Sequence, residues 1–223
     1  MNFKSTGSGL KAPDARMRKR ILMTVAGVLL LGVSVGFTKN SNFGTDPFTT
    51  CMYGILNFVH AAISPDISYG SMYNAVNLLL LVIMFVTGRH YIGLGTLINI
   101  FLLGYVIQGC CAFLSFLVPD PSIAVRIGYL VFGLLLMCFA SSLYFVADLG
   151  VSTYDFIALG IDERGILKFR VCRIITDCLC VLFGFLLHSA PGIGTIITAF
   201  CMGPVIDLFS VHVARPLLDG ARS

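Results

Sequence analysis

Apolar residues gather into eight runs, at 21–38, 47–63, 73–87, 93–118, 125–146, 151–161, 171–188 and 192–213. A helix needs about twenty residues to cross the hydrocarbon core of a bilayer. Six runs approach or exceed that length once their flanks are included. The run 151–161 is too short and carries Asp155, and 47–63 is borderline. The pattern predicts an all-α membrane protein with about six transmembrane helices and two short re-entrant or half helices.

Composition supports the same class. Of 223 residues, 57% are hydrophobic and 12% charged, with a mean hydropathy of +0.91. A soluble domain carries about 25% charged residues, so too little polar surface exists here to face water. In lipid the backbone must satisfy its own hydrogen bonds, hence helices. With no Trp among the 223 residues, the interfacial belt is expected to rest on tyrosines such as Tyr53, Tyr69, Tyr73, Tyr91 and Tyr129.

The net charge of +4 does not point to nucleic acid, because Lys11, Arg16, Arg18, Lys19 and Arg20 stand immediately before the first apolar run. That placement holds a cytoplasmic flank, and no basic groove with stacking aromatics accompanies it. Run 21–38 is long for a signal-peptide core and lacks a small-x-small cleavage site, so it reads as a retained span. Most cysteines, including Cys51, Cys138, Cys172, Cys178, Cys180 and Cys201, lie inside apolar runs with no C-x-x-C spacing. They read as buried thiols rather than a disulfide or zinc framework.

Two sequence blocks recur. The stretch 42–55, NFGTDPFTTCMYGI, aligns with 148–161, DLGVSTYDFIALGI, so that Gly44 and Gly54 fall on Gly150 and Gly160. The stretch 93–99, GLGTLIN, aligns with 192–198, GIGTIIT, and the same offset pairs Gly104 with Gly203 and Gln108 with Asp207. The first pair is offset by 106 and the second by 99, which one insertion–deletion zone explains. The chain therefore reads as a tandem duplication. A cytosolic basic tail (1–20) would precede a first membrane repeat (21–118), then a second repeat (125–213) and a cytosolic C-terminal tail (214–223). Three spans per copy put the copies in opposite orientation, an inverted repeat. With both termini inside, 13 of the 15 Lys and Arg fall on the cytoplasmic side, leaving Lys39 and Arg126 outside. An eight-span arrangement scores the same, so length alone excludes it.

The stretch Gly150-Val-Ser-Thr-Tyr-Asp155, together with the Gly-Ile-Gly-Thr element at Gly192 and the Gly-Pro-Val-Ile-Asp-Leu block at 203–208, resembles the YczE/YitT-like bacterial membrane proteins. Gly44-Thr-Asp-Pro-Phe-Thr49 is a variant of the same element. The resemblance covers roughly residues 25–210 and implies a multi-span bacterial membrane protein of poorly defined activity. Thr153 stands where that group often has Pro, so the second short helix is expected to start differently.

Candidate chemistry follows the repeat. Asp46 before Pro47, and Ser152 with Asp155 three residues on, have the form of helix N-caps. If those helix starts lie within the membrane, their N–H groups suit an anion, or the carboxylates a cation. Asp177 interrupts an apolar run at a place matched by Asn77 in the first copy, and ionisable groups there face a partner or a cavity. Arg173, one turn earlier, is the local partner available to Asp177. Asp207 is expected near the cytoplasmic interface, with Asn99 and Thr198 in helix–helix hydrogen bonds. Gly27, Gly32 and Gly36 form a small-residue packing face. His60, His90, His188 and His212 show no metal or hydrolase spacing. The substrate-binding candidates are thus Asp46, Thr49, Ser152, Asp155, Asp177 and Asn77, with no catalytic, cofactor or metal residues. The expected role is a small-solute or ion transporter or channel of the bacterial inner membrane, not an enzyme. The alternative is a substrate-binding or regulatory membrane subunit acting with a partner protein. Expected partners are the lipid bilayer, a small solute or ion, and a second copy or another membrane protein, but no nucleic acid.

Overall fold

The computed structural model describes residues 13–62, 65–167 and 169–219. Eight principal helices follow one another: α1 (Pro13–Ser41), α2 (Pro47–Ala62), α3 (Tyr69–Thr87), α4 (Leu94–Leu117), α5 (Ile123–Ala147), α6 (Asp155–Glu163), α7 (Phe169–Leu186) and α8 (Ile193–Phe209). A π-turn (Ser210–Ala214) leads from α8 into a short α9 (Arg215–Asp219). No strand occurs among the described residues. Among the described residues five stretches are long and apolar enough to cross a membrane: Arg16–Ser41, Tyr69–Thr87, Leu94–Leu117, Ile123–Ala147 and Ile193–Asp219. The sixth expected span, α7, has 18 residues but carries Arg170, Arg173 and Asp177.

Helical structure reaches into both expected tails. Residues 13–20 already belong to α1 and residues 215–219 to α9, while 1–12 and 220–223 lie outside the described residues. Arg16 pairs with Asp219 at 3.0 Å, so these helical ends meet on one side of the molecule.

At the core α1 and α5 run antiparallel in close contact. A Cβ on Gly27 would stand 3.1 Å from Ala140 O and Tyr144 N, and one on Gly133 would stand 3.0 Å from Ser34 O and 3.1 Å from Thr38 N. Each helix also reaches across to finish the other. Arg20 Nε donates to Ala147 O at 2.6 Å, and Arg126 Nε donates to Ser41 O at 2.8 Å. These are C-terminal carbonyls that have no partner inside their own helix. Gly32 and Gly36 serve a different neighbour, α4, at Val106 and Cys110, so the predicted small-residue face packs against two helices. Buried hydroxyls along α1 and α5 return to their own backbone: Thr24 to Arg20 O at 2.9 Å, Ser34 to Leu31 O at 2.7 Å and Ser142 to Phe139 O at 2.7 Å. These hydroxyls therefore enter the core with their donors satisfied. Thr198 does likewise, donating to Thr195 O at 2.9 Å, so the helix–helix bond expected of it is absent.

The Gly-x-Gly-Thr elements are crossings. The link after α5 passes over the start of α4, where Gly95 N donates to Leu149 O at 2.7 Å; the link after α1 passes over the start of α8, where Gly194 N donates to Phe43 O at 2.8 Å. Gly150 and Gly44 turn there with φ of +118° and +100°, a region that favours glycine. Thr96 and Thr195 hydroxyls each accept the N–H of the glycine three residues earlier, both at 3.2 Å.

One pair of helices breaks the correspondence. Gly104 of α4 lies so near Tyr73 of α3 that a Cβ would meet its ring at 2.8 Å, and Gly70 N donates to Gln108 Oε1 at 3.1 Å. Gly203, at the matching place on α8, has no atom within 4 Å of where a Cβ would stand. Asp207, matching Gln108, is exposed. The helices α3 and α4 are thus closed on one another, whereas α7 and α8 stand apart.

Candidate functional site

Three of the four helices at the centre, α2, α6 and α7, bring carboxylates toward one another, and α3 brings tyrosines. Asp46 caps α2: its Oδ2 accepts Thr49 N at 3.0 Å and its carbonyl accepts Thr50 N at 2.9 Å. Ser152 does the same for α6, its Oγ accepting Asp155 N at 3.1 Å. The reciprocal bond differs from a capping box, because Asp155 Oδ2 accepts the Ser152 hydroxyl at 2.7 Å rather than a backbone N–H. With Thr at 153 in place of Pro, α6 starts at Asp155 and runs only nine residues.

Arg173 is the hinge of the charges. Its guanidinium pairs with Asp155 Oδ1 and lies 3.6 Å from Asp177 Oδ1, while Tyr154 donates its hydroxyl to Asp177. The side chains of Asp155 and Asp177 are only 8% and 7% exposed, and that of Arg173 is 34% exposed. The predicted local pairing of Asp177 is therefore present, and it also takes in a carboxylate from another helix. Arg173 further lies 4.8 Å over the Tyr154 ring. Asn77, fully buried, accepts the Thr153 hydroxyl through Oδ1 and donates to Tyr73 O at 2.8 Å. The six sequence candidates thus fall into matched places, 46 with 152, 49 with 155, and 77 with 177. Phe48 and Tyr154, another matched pair, meet each other at 4.8 Å between ring centroids.

The tyrosines are a correction. Tyr69, Tyr73 and Tyr91 are buried and do not form an interfacial belt. Tyr53 stacks on Tyr69 at 4.5 Å, Tyr69 lies 5.9 Å from Tyr73, and Tyr73 lies 6.1 Å from Phe48. Asp46 lies within electrostatic reach of Tyr53, Tyr69, Tyr73, Arg173 and Asp177. The sequence signal for this lining is the polar stripe Tyr69, Tyr73, Asn77, spaced by four on one face of α3.

Two atoms of this cluster stand out. Asp46 Oδ1 and the Tyr69 hydroxyl are buried and have no hydrogen-bond partner. An unmade bond of this kind costs about 1–3 kcal/mol, and more for a charged group. Elsewhere, a depression of about 70 Å³ beside Lys39, Gly44 and Ser189 is small for a solute, and a groove of about 380 Å³ along Val33, Val106 and Phe113 is apolar. Among the described residues no group of three or more His, Cys, Asp or Glu is placed to hold a metal.

Comparison with known proteins adds a family and no activity. A family model described as "Family of unknown function (DUF6198)" matches residues 18–211. An uncharacterized protein of Haemophilus influenzae is 29% identical over 200 residues, covering 88% of this chain and 86% of the relative. No solved structure matches. Neither match carries the YczE/YitT-like name that the glycine-rich blocks resemble.

Proposed function

The chain belongs to the DUF6198 family of unknown function, and we propose from its own geometry that it is a small-solute transporter of the bacterial inner membrane, built as two inverted repeats of three spans. Several observations support the repeat. The contacts Gly95–Leu149 and Gly194–Phe43, the caps at Asp46 and Ser152, and the reaches of Arg20 and Arg126 each occur twice at matched positions. The sixth span is α7, whose 18 residues extend about 27 Å. Its Arg173 and Asp177 are engaged with each other and with α6, which is how charge is tolerated in a span. The Arg16–Asp219 ion pair supports an even number of crossings, and the Lys/Arg bias favours the cytoplasm for that shared side.

The observation that carries the transport reading is the broken correspondence between α3–α4 and α7–α8. In an inverted repeat, a contact closed in one copy and open in the other describes a molecule shut on one face and open on the opposite face. With the termini inside, the closed contact at Gly104 and Gln108 faces outward, and the open one at Gly203 and Asp207 faces the cytoplasm. Exchange of the two arrangements is alternating access around a central site.

The test uses single cysteines in a background lacking the native eight, labelled in vesicles of either orientation with a membrane-impermeant maleimide. Gly203→Cys should react rapidly from the cytoplasmic face. Leu103→Cys, which is 6% exposed in α4, should resist reagent from the outer face. Equal reactivity at the two positions would sink the alternating reading.

A further inference from the structure

We propose that the central cluster binds a monovalent organic cation, a protonated amine seated between the Asp46 carboxylate and the Tyr69 hydroxyl. Charge sets the sign of the ligand. Arg173 is engaged by Asp155 and Asp177, so the Asp46 carboxyl has no cationic side chain paired with it. The Asp46 carboxyl itself occupies the N-terminus of α2, which leaves no place for an anion there.

Partnering sets the position. Asp155 and Asp177 already receive Arg173, Ser152 and Tyr154. Asp46 receives one backbone N–H on Oδ2, and its Oδ1 has no partner. Tyr69 is 5% exposed, and its hydroxyl, beside the Thr49 side chain that Asp46 also approaches, makes no hydrogen bond of ordinary geometry. An ammonium group supplies donors, and both of these oxygens accept.

The rings set the class. Tyr53, Tyr69, Tyr73 and Phe48 form a continuous aromatic run beside Asp46, and π-faces attract cations with apolar skeletons. The chain itself already uses this chemistry, with Lys39 Nζ lying 3.7 Å from the centre of the Tyr53 ring. A divalent metal would call for more carboxylate, thiolate or imidazole ligands than are gathered here.

The inference rests on the transporter reading only for the route by which a ligand reaches the centre; equilibrium binding tests it without flux. With eight Tyr and no Trp in 223 residues, tyrosine fluorescence reports the cluster directly. The purified full chain in detergent is titrated with methylammonium, isoamylammonium, phenethylammonium and tetramethylammonium chlorides, against NaCl and KCl at matched ionic strength. Fluorescence and melting temperature are both read. At least one amine with N–H donors should give a saturable change, weakened more than tenfold in Asp46→Asn and severalfold in Tyr69→Phe, which keeps the ring. Tyr69→Phe also stands as the deciding variant should Asp46→Asn fail to fold. No saturable response to any amine would overturn the proposal. So would a response to Na⁺ or K⁺ alone, to tetramethylammonium alone, or one unchanged in both variants. Binding with symmetric cysteine labelling would remove the transporter reading and leave the site; asymmetric labelling without binding would do the reverse.

Discussion

Placing a single methyl group at each of the two crossings tests the packing most sharply. In Gly93→Ala the new Cβ would lie 2.1 Å from Leu149 O, 2.7 Å from Leu149 C and 2.9 Å from Gly150 Cα. In Gly192→Ala it would lie 2.1 Å from Phe43 O, 2.5 Å from Phe43 C and 2.9 Å from Gly44 N. All six neighbours are backbone, so no side chain can swing away. Both glycines have φ of −140°, which alanine adopts freely, so the cost is steric and not conformational. A carbon–oxygen approach normally stops near 3.3 Å, so the strands must part by roughly 1 Å. That separation strains the Gly95–Leu149 or Gly194–Phe43 hydrogen bond. Overpacking of this kind costs about 1–3 kcal/mol and a lost hydrogen bond about 1 kcal/mol, together about 2–4 kcal/mol. At about 2–4 °C per kcal/mol for a chain of this size, the melting temperature in detergent should fall by roughly 4–16 °C. Gly109→Ala and Gly128→Ala, where a Cβ meets nothing within 4 Å, should leave it unchanged or raise it slightly through helix propensity. Should the two crossing variants melt like these controls, the steric argument is wrong. A large loss in one and none in the other would show that the crossings are not equivalent.

Two further outcomes follow from the charges. Arg20→Ala should cost about 1.5–3 kcal/mol, because Arg20 donates to Ala147 O and Asp148 O and pairs with the Asp148 carboxylate at 3.1 Å. Arg126→Ala, losing one bond to Ser41 O and a ring contact with Phe43, should cost less, and thermal melts showing the reverse order would refute the assignment. The double variant Asp155→Asn/Asp177→Asn frees Arg173 from α6, and Gly203→Cys labelling from the cytoplasm should fall at least fivefold in that background. Undiminished labelling would show that these ion pairs do not hold the cytoplasmic side open.

Much of this architecture is legible in the sequence, because it is written in local residue types. Glycines that must admit a crossing backbone recur at Gly93 and Gly192, and capping residues recur at Asp46 and Ser152, so both short helices are predicted at their observed starts to within three residues. What was misjudged depended on azimuth and on distance along the chain. Tyrosine belongs in a belt by composition alone, but Tyr69 and Tyr73 point inward because they share a face with Asn77, which must be buried to meet Thr153. Arg173 is predicted to serve Asp177 because four residues separate them; its stronger partner, Asp155, is brought to it only by the packing of α6 on α7. The apolar run of α7 is a weak span by hydropathy for the same reason: its charges are compensated by another helix and not by its own sequence.

Arg173 also connects the centre to the open face. In the first copy the matching residue is Tyr73, and its ring fills the space over Gly104, holding α3 against α4. In the second copy the residue that ought to cover Gly203 is a guanidinium, and it is drawn instead onto two carboxylates 8% and 7% exposed. Arg173 cannot both neutralise Asp155 and Asp177 and cover Gly203. While the carboxylates lack another cation, releasing Arg173 would leave two buried charges bare, at a cost of about 3–5 kcal/mol, and in the proposed transporter the α7–α8 side would stay open. A cation arriving beside Asp46 lowers that cost by supplying positive charge to the same cluster. Each tenfold shift between the two arrangements needs about 1.4 kcal/mol of differential interaction, and a full reversal from 1:99 to 99:1 about 5.5 kcal/mol. At about 3–5 kcal/mol, the Arg173 ion pairs would supply two to three tenfold steps and most of a full reversal, so in the proposed transporter this one side chain would carry much of the coupling between occupancy of the site and closure of the helices around it.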